Sequence, residues 1–138
     1  MAQPTIDEAC VALAAAIDGI SGLRSKGFAD DITNPPEAQV YTREYDPRFV
    51  FSGAKRTFAL GVRVYVKRTD IRSAQRTLRG FMEPSGSTSV SAKIEDEASW
   101  TGVTIDDVVV TNVGQPFEFT DQSGLVYWAV DFDVDVIW

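Results

Sequence analysis

The chain has 138 residues, of which 44% are apolar and 24% charged, and carries a net charge of −7. That size fits one domain, residues 1–138, able to bury about 70% of the surface its unfolded form exposes. The acidic balance argues against a general nucleic-acid binder, no apolar run approaches the ~20 residues of a membrane span, and the start lacks the basic and apolar blocks of a signal peptide.

A helix is expected over residues 6–20. Thr5, Ile6, Asp7 and Glu8 form a capping-box pattern, with Thr5 as N-cap and Glu8 three residues on. Ile6, Cys10, Leu13, Ile17 and Ile20 recur at spacings of four and three, one apolar stripe, and Gly19 and Gly22 end it. Cys10 on that stripe reads as a small core residue. Residues 21–37 form a connector in which Asn34, Pro35 and Pro36 forbid helix and impose an extended lead-in to a strand over residues 38–44. Residues 45–55 carry the turn signals Asp46-Pro47 and Ser52-Gly53 and read as a long hairpin connection. Its Tyr45, Phe49, Val50 and Phe51 place apolar side chains on a loop, which usually marks an interaction surface.

The next strand is marked by Phe58, Leu60, Val62, Val64 and Val66 alternating with Ala59, Gly61, Arg63, Tyr65 and Lys67. A helix follows over residues 70–82, with Ile71, Ala74, Leu78, Phe81 and Met82 on its apolar side. Arg68, Arg72, Arg76 and Arg79 line another side at spacings of four, four and three. Pro84-Ser85-Gly86 breaks this helix, and a short one is expected over residues 88–97 with Ser87 as N-cap and Val90 and Ile94 inward. Trp100, Val103 and Ile105 lead into a strand over residues 108–113. Gly114-Gln115-Pro116 kinks or ends it, and Phe117 to Phe119 continue it. Asp121-Gln122-Ser123-Gly124 is a turn into the final strand. There Val126, Trp128, Val130, Phe132, Val134, Val136 and Trp138 alternate with a face bearing Asp131, Asp133 and Asp135.

The order α-β-β-α-α-β-β predicts an α+β domain, with an antiparallel or mixed sheet and helices packed on one face. The chain has no histidine, which removes Ser-His-Asp and Cys-His catalysis and histidine metal sites. Its single cysteine forms no intrachain disulfide, as expected of a chain folded in a reducing cytoplasm. Ser85 to Ser89 lack the Gly-Lys-Ser/Thr ending of a phosphate loop and read as a helix–helix break.

Two charged constellations remain. Three carboxylates suit a hard cation, but residues two apart on a strand lie roughly 6–7 Å from each other. Asp131, Asp133 and Asp135 therefore read as a solvated or cross-strand-paired face, with Arg63 and Lys67 as partners, next as a subunit contact or channel lining, and last as metal ligands. The arginine row reads either as a solvated helix face or as a contact surface. Its candidate counterparts are Glu95-Asp96-Glu97, Asp106-Asp107 and the three C-terminal aspartates.

The arrangement resembles the tail terminator proteins of long-tailed, non-contractile bacteriophages. The resemblance lies in the short N-terminal helix, the Asn34-Pro35-Pro36-Glu37-Ala38 lead-in and the long hairpin into Thr57-Phe58-Ala59-Leu60-Gly61-Val62-Arg63-Val64. It extends to the arginine-rich helix ending Leu78-Arg79-Gly80-Phe81-Met82 and the Ser85-Gly86-Ser87-Thr88-Ser89-Val90 break. It covers nearly the whole chain by order and size, without a chemical signature. It implies a structural virion protein that is not an enzyme and uses no cofactor or metal. Such a protein forms a homohexameric ring on the tail tube protein, stops tube growth and joins the head–tail connector or stopper. DNA passes only through the lumen, and no membrane is involved. The interface residues expected on this reading are Arg68, Arg72, Arg76, Arg79, Phe49, Phe51, Asp131, Asp133 and Asp135. The alternatives are another neck or tail-completion protein and, from a different class, a small carboxylate-dependent enzyme.

Overall fold

A computed structural model describes residues 5–28, 32, 35–43, 57–68, 70–96, 99–100, 103, 105 and 107–137. The expected connection over residues 45–55, with Phe49 and Phe51, lies outside the described residues, as do Glu97, Asp106 and Trp138. The described elements are α1 (Ile6–Ile17), β1 (Arg24–Lys26), β2 (Glu37–Thr42), β3 (Thr57–Lys67), α2 (Ile71–Met82), α3 (Val90–Glu95), β4 (Asp107–Val113), β5 (Phe117–Thr120) and β6 (Val126–Ile137). The fold is α+β, as expected: one mixed sheet, with its helices on one face.

β6 is the organising strand. Tyr127 to Ile137 pair antiparallel with β3 on one side, while β4 and then β5 pair with β6 on the other. The 114–116 segment between them kinks the chain without releasing it, because the Gly114 N–H still donates to Asp131 O at 2.8 Å. On the far side of β3 lies antiparallel β2, and beyond it parallel β1, giving the order β1-β2-β3-β6-β4. The connector expected over residues 21–37 thus hides an edge strand. Its three residues are too few to show alternation.

One sheet face holds the core. Val40, Leu60, Val62, Val64, Phe132, Val134 and Val136 pack there against Leu13 and Ile17 of α1, Leu78 of α2 and Val90 and Ile94 of α3. α1 carries the expected capping box at Thr5 and Glu8 but stops at Ile17, three residues early. Gly22, at φ 81°, then reverses the chain so that Ile20 and Leu23 still reach the core. Ile6 lies on the stripe yet is exposed, while Ala9, Ala12 and Ala16 are buried and let the sheet approach closely.

α2 begins one residue after its N-cap Asp70, so Arg68 precedes the helix instead of sharing its face. Ala74, Leu78 and Phe81 are buried, but Ile71, in the first turn, is 48% exposed. α3 is shorter than expected, and its N-cap is Ser89, not Ser87. Ser89 Oγ accepts from Ala92 N at 3.0 Å and donates to Glu83 O at 2.5 Å, tying the end of α2 to the start of α3. The Trp100 indole N–H donates to Ile94 O at 2.9 Å and holds the segment after α3 against the core.

Candidate functional site

The second face of the sheet is built from the polar positions of β2, β3 and β6. Ala59 and Gly61 carry small side chains or none in mid-sheet, and their β2 neighbours lean into that space. The Tyr41 ring occupies the volume a Gly61 Cβ would need, its Cζ only 2.3 Å from that point. Arg43, opposite Ala59, reaches β6: its Nη2 lies 2.9 Å from Asp135 Oδ1 and its Nε 3.7 Å from Asp133 Oδ1. The Arg43 Nε also donates to Leu60 O at 2.6 Å.

Arg63 stands directly opposite Asp131 in the β3–β6 register. The two meet as a fork, Nε to Oδ1 at 2.6 Å and Nη2 to Oδ2 at 3.0 Å. The hydrogen bond to Asp131 raises the Arg63 pKa well above its ordinary value. The same guanidinium lies 5.1 Å from the Phe117 ring centre, 5.6 Å from Tyr41 and 5.8 Å from Phe119. Next to it, Tyr65, Tyr127 and Ala129 form a second, smaller apolar cluster with Phe117, Phe119 and Ile32. Burial pushes the Tyr65 and Tyr41 phenols up. Towards β1, Glu37 is 1% exposed, receives Gln39 Nε2 at 2.8 Å and lies 3.4 Å from Lys26 Nζ.

The three aspartates are therefore used inside the subunit, each facing an arginine. Arg63 was identifiable as a partner from strand alternation. Arg43 was not singled out, although Gln39, Tyr41 and Arg43 alternate onto the same face. Lys67, the other expected partner, sits opposite Tyr127 in the register instead of an aspartate. Asp131, Asp133 and Asp135 thus hold the sheet together rather than presenting a free acidic surface.

The arginine row divides in a different way. Arg68 pairs with Glu118 of β5 at 3.2 Å. Arg72, Arg76 and Arg79 lie on α2, exposed, with no carboxylate at ion-pair distance among the described residues. At about 100° per residue, these three fall within roughly 60° of one another and about 180° from Ala74, Leu78 and Phe81. They point straight away from the core.

A third feature was not legible in the sequence. β4 is an edge strand, and carboxylates take two of its N–H groups: Asp107 Oδ1 accepts from Val108 N at 2.9 Å, and Glu95 Oε2 accepts from Val110 N at 3.2 Å. A register shift between Val110 and Asn112 breaks the edge further. Charged caps and a bulge are devices that keep an edge from pairing indiscriminately. Glu95 is at the end of α3, fifteen residues before Val110, so the contact exists only once the helix has packed on the sheet.

An open groove of about 210 Å³ is lined, among the described residues, by Ile6, Thr42, Arg43, Phe58, Ala59 and Leu60, and the Arg43 guanidinium is committed as above. Among the described residues no three acidic or cysteine side chains gather as metal ligands, and no helix is long and apolar enough to cross a membrane. In comparison with known proteins, no family model and no curated protein matches the chain.

Proposed function

We propose that this chain is a structural protein of a bacteriophage tail, assembling as a ring on the end of the tail tube, halting its growth and offering the surface to which the head-side connector joins. The observation that supports this reading is the α2 row, Arg72, Arg76 and Arg79, exposed and opposite the buried side of the helix in a chain of net charge −7. A ring of identical subunits needs two different, complementary patches, and a concentrated basic stripe on an acidic protein is one such half. The resemblance in element order implies six copies, with no cofactor and no catalytic step.

Negative-stain imaging of the purified protein, alone and mixed with tail tubes, tests this. Rings that cap tube ends support it. A protein that stays monomeric at high concentration and never binds tubes refutes it, and rings that bind only the head side make it a neck component instead. The double change Arg72→Glu with Arg76→Glu is expected to leave the melting curve unchanged, because these side chains lie off the buried face, while abolishing rings or capping. One exposed ion pair contributes only about 0–1 kcal/mol, so the loss comes from several contacts repeated around a ring.

A further inference from the structure

On the reading just proposed, the α2 row needs an acidic counterpart. Several carboxylates among the described residues are already committed within the subunit. Asp131, Asp133 and Asp135 face Arg63 and Arg43. Glu118 holds Arg68, Asp121 closes its own turn by accepting from Ser123 N and Leu125 N, and Glu8 completes the α1 capping box. Glu95 and Asp107 are set apart by their place, at the margin of the sheet. They stand together at the free edge of β4, exposed, and each is fixed by a bond to a backbone N–H, which uses one oxygen and leaves the charge facing outward. Beside them Val109 is 37% exposed, an apolar spot within a charged rim.

We infer that the β4 edge of one copy, through Glu95, Asp107 and Val109, receives the α2 row, Arg72, Arg76 and Arg79, of the next. The occupant is a second copy of this chain. Opposite charge favours it, and the two patches lie on different parts of the molecule: α2 packs over β3 and β6, while β4 is the sheet margin. One subunit therefore gives one patch and receives at the other, a head-to-tail contact that closes into a ring when the rotation permits. The carboxylates need no reordering on docking, because the strand already holds them.

The test is self-association by sedimentation velocity, with melting curves as a check on folding. Glu95→Gln with Asp107→Asn keeps an oxygen acceptor for each edge N–H but removes the charge. It is expected to weaken association at least tenfold with no change in melting. Glu95→Arg with Asp107→Arg is expected to abolish association alone and to recover it when combined with Arg72→Glu and Arg76→Glu. Rings that persist in the charge-neutral variant, or a charge-swapped chain that fails to recover although it melts normally, overturn this contact while leaving the ring reading intact. A parent protein that never self-associates overturns both. Arginine variants that lose tube binding yet associate like the parent show that the row meets a tail partner and not a second copy, which also overturns it.

Discussion

Tyr41 and Gly61 show how a single missing side chain shapes a whole face. A Cβ at position 61 would meet Tyr41 Cε2 at 2.5 Å and its hydroxyl at 2.7 Å, so the ring must leave if any other residue stands there. The ring also borders Arg63, and displacing it loosens the packing around the Arg63–Asp131 fork. Gly61→Ala is expected to cost about 1–3 kcal/mol, the usual range for overpacking a filled site. This reads as a lower urea midpoint at unchanged slope, and adding Tyr41→Ala is expected to return part of the loss. Alternation points to cross-strand pairing of Asp131 with Arg63, which the structure shows, but it fixes only which face a residue takes and not what leans over Asp133 and Asp135. Arg43 reaches Asp133 and Asp135 from two strands away across small residues. Side chains that cross strands are invisible to a periodicity count.

At the scale of elements, capping decides the α2–α3 junction. Both Ser87 and Ser89 have the chemistry of an N-cap, and the sequence favoured Ser87 because it directly follows the Pro84-Ser85-Gly86 break. The structure uses Ser89, which is 1% exposed and bonds forward to Ala92 and back to Glu83, whereas Ser87 is exposed. Ser89→Ala is therefore expected to cost about 1–2 kcal/mol, since it removes the cap and strands a carbonyl, while Ser87→Ala changes the midpoint by less than about 0.5 kcal/mol. Long elements were legible. β3 and β6 alternate over eleven and twelve residues, and α2 carries its apolar positions at helical spacing. Short ones were not: β1 is recruited by pairing with β2 and by the Lys26–Glu37 ion pair, which are tertiary causes. Of the expected contact residues, Arg72, Arg76 and Arg79 are exposed, without an ion-pair partner among the described residues, because helical periodicity places them opposite the core. Arg68 leaves the group because the helix starts three residues after it, at Ile71.

For the whole molecule, buried phenols on the second sheet face and a buried thiol on α1 introduce a dependence on alkaline pH. Burial raises the Tyr65 and Tyr41 phenols above their ordinary value of 10.0, and burial raises the Cys10 thiol above 9.0. In the unfolded chain these groups ionise at their ordinary values, so above them the unfolded state binds fewer protons than the folded one. Stability is fully present below those values and falls as pH rises through the window up to the folded pKa values. Urea midpoints are expected to hold steady near neutrality and to decline above about pH 9, more steeply above 10. Tyr65→Phe is expected to flatten the steeper part, and an unchanged slope in that variant would assign the decline to other groups.

β6 sits between β3 and the β4–β5 edge and contributes to the packing on both faces, yet it follows all its partners in sequence. Its ladder with β3 joins residues roughly 60–80 positions apart. Until that segment arrives, β3 has one bare margin and β4 has no partner among the described strands. The α1 turn, the β2–β3 pair and the α2–α3 corner can form as local structure, but the cooperative unit cannot close. Loop closure over such separations must be completed before the contacts it allows are gained, so folding is governed by long-range contact order and belongs on the millisecond-to-second scale of sheet proteins rather than with fast helical bundles. Commitment to the native sheet therefore waits on β6, the one strand that ties β2–β3 to β4 and β5 in the described sheet.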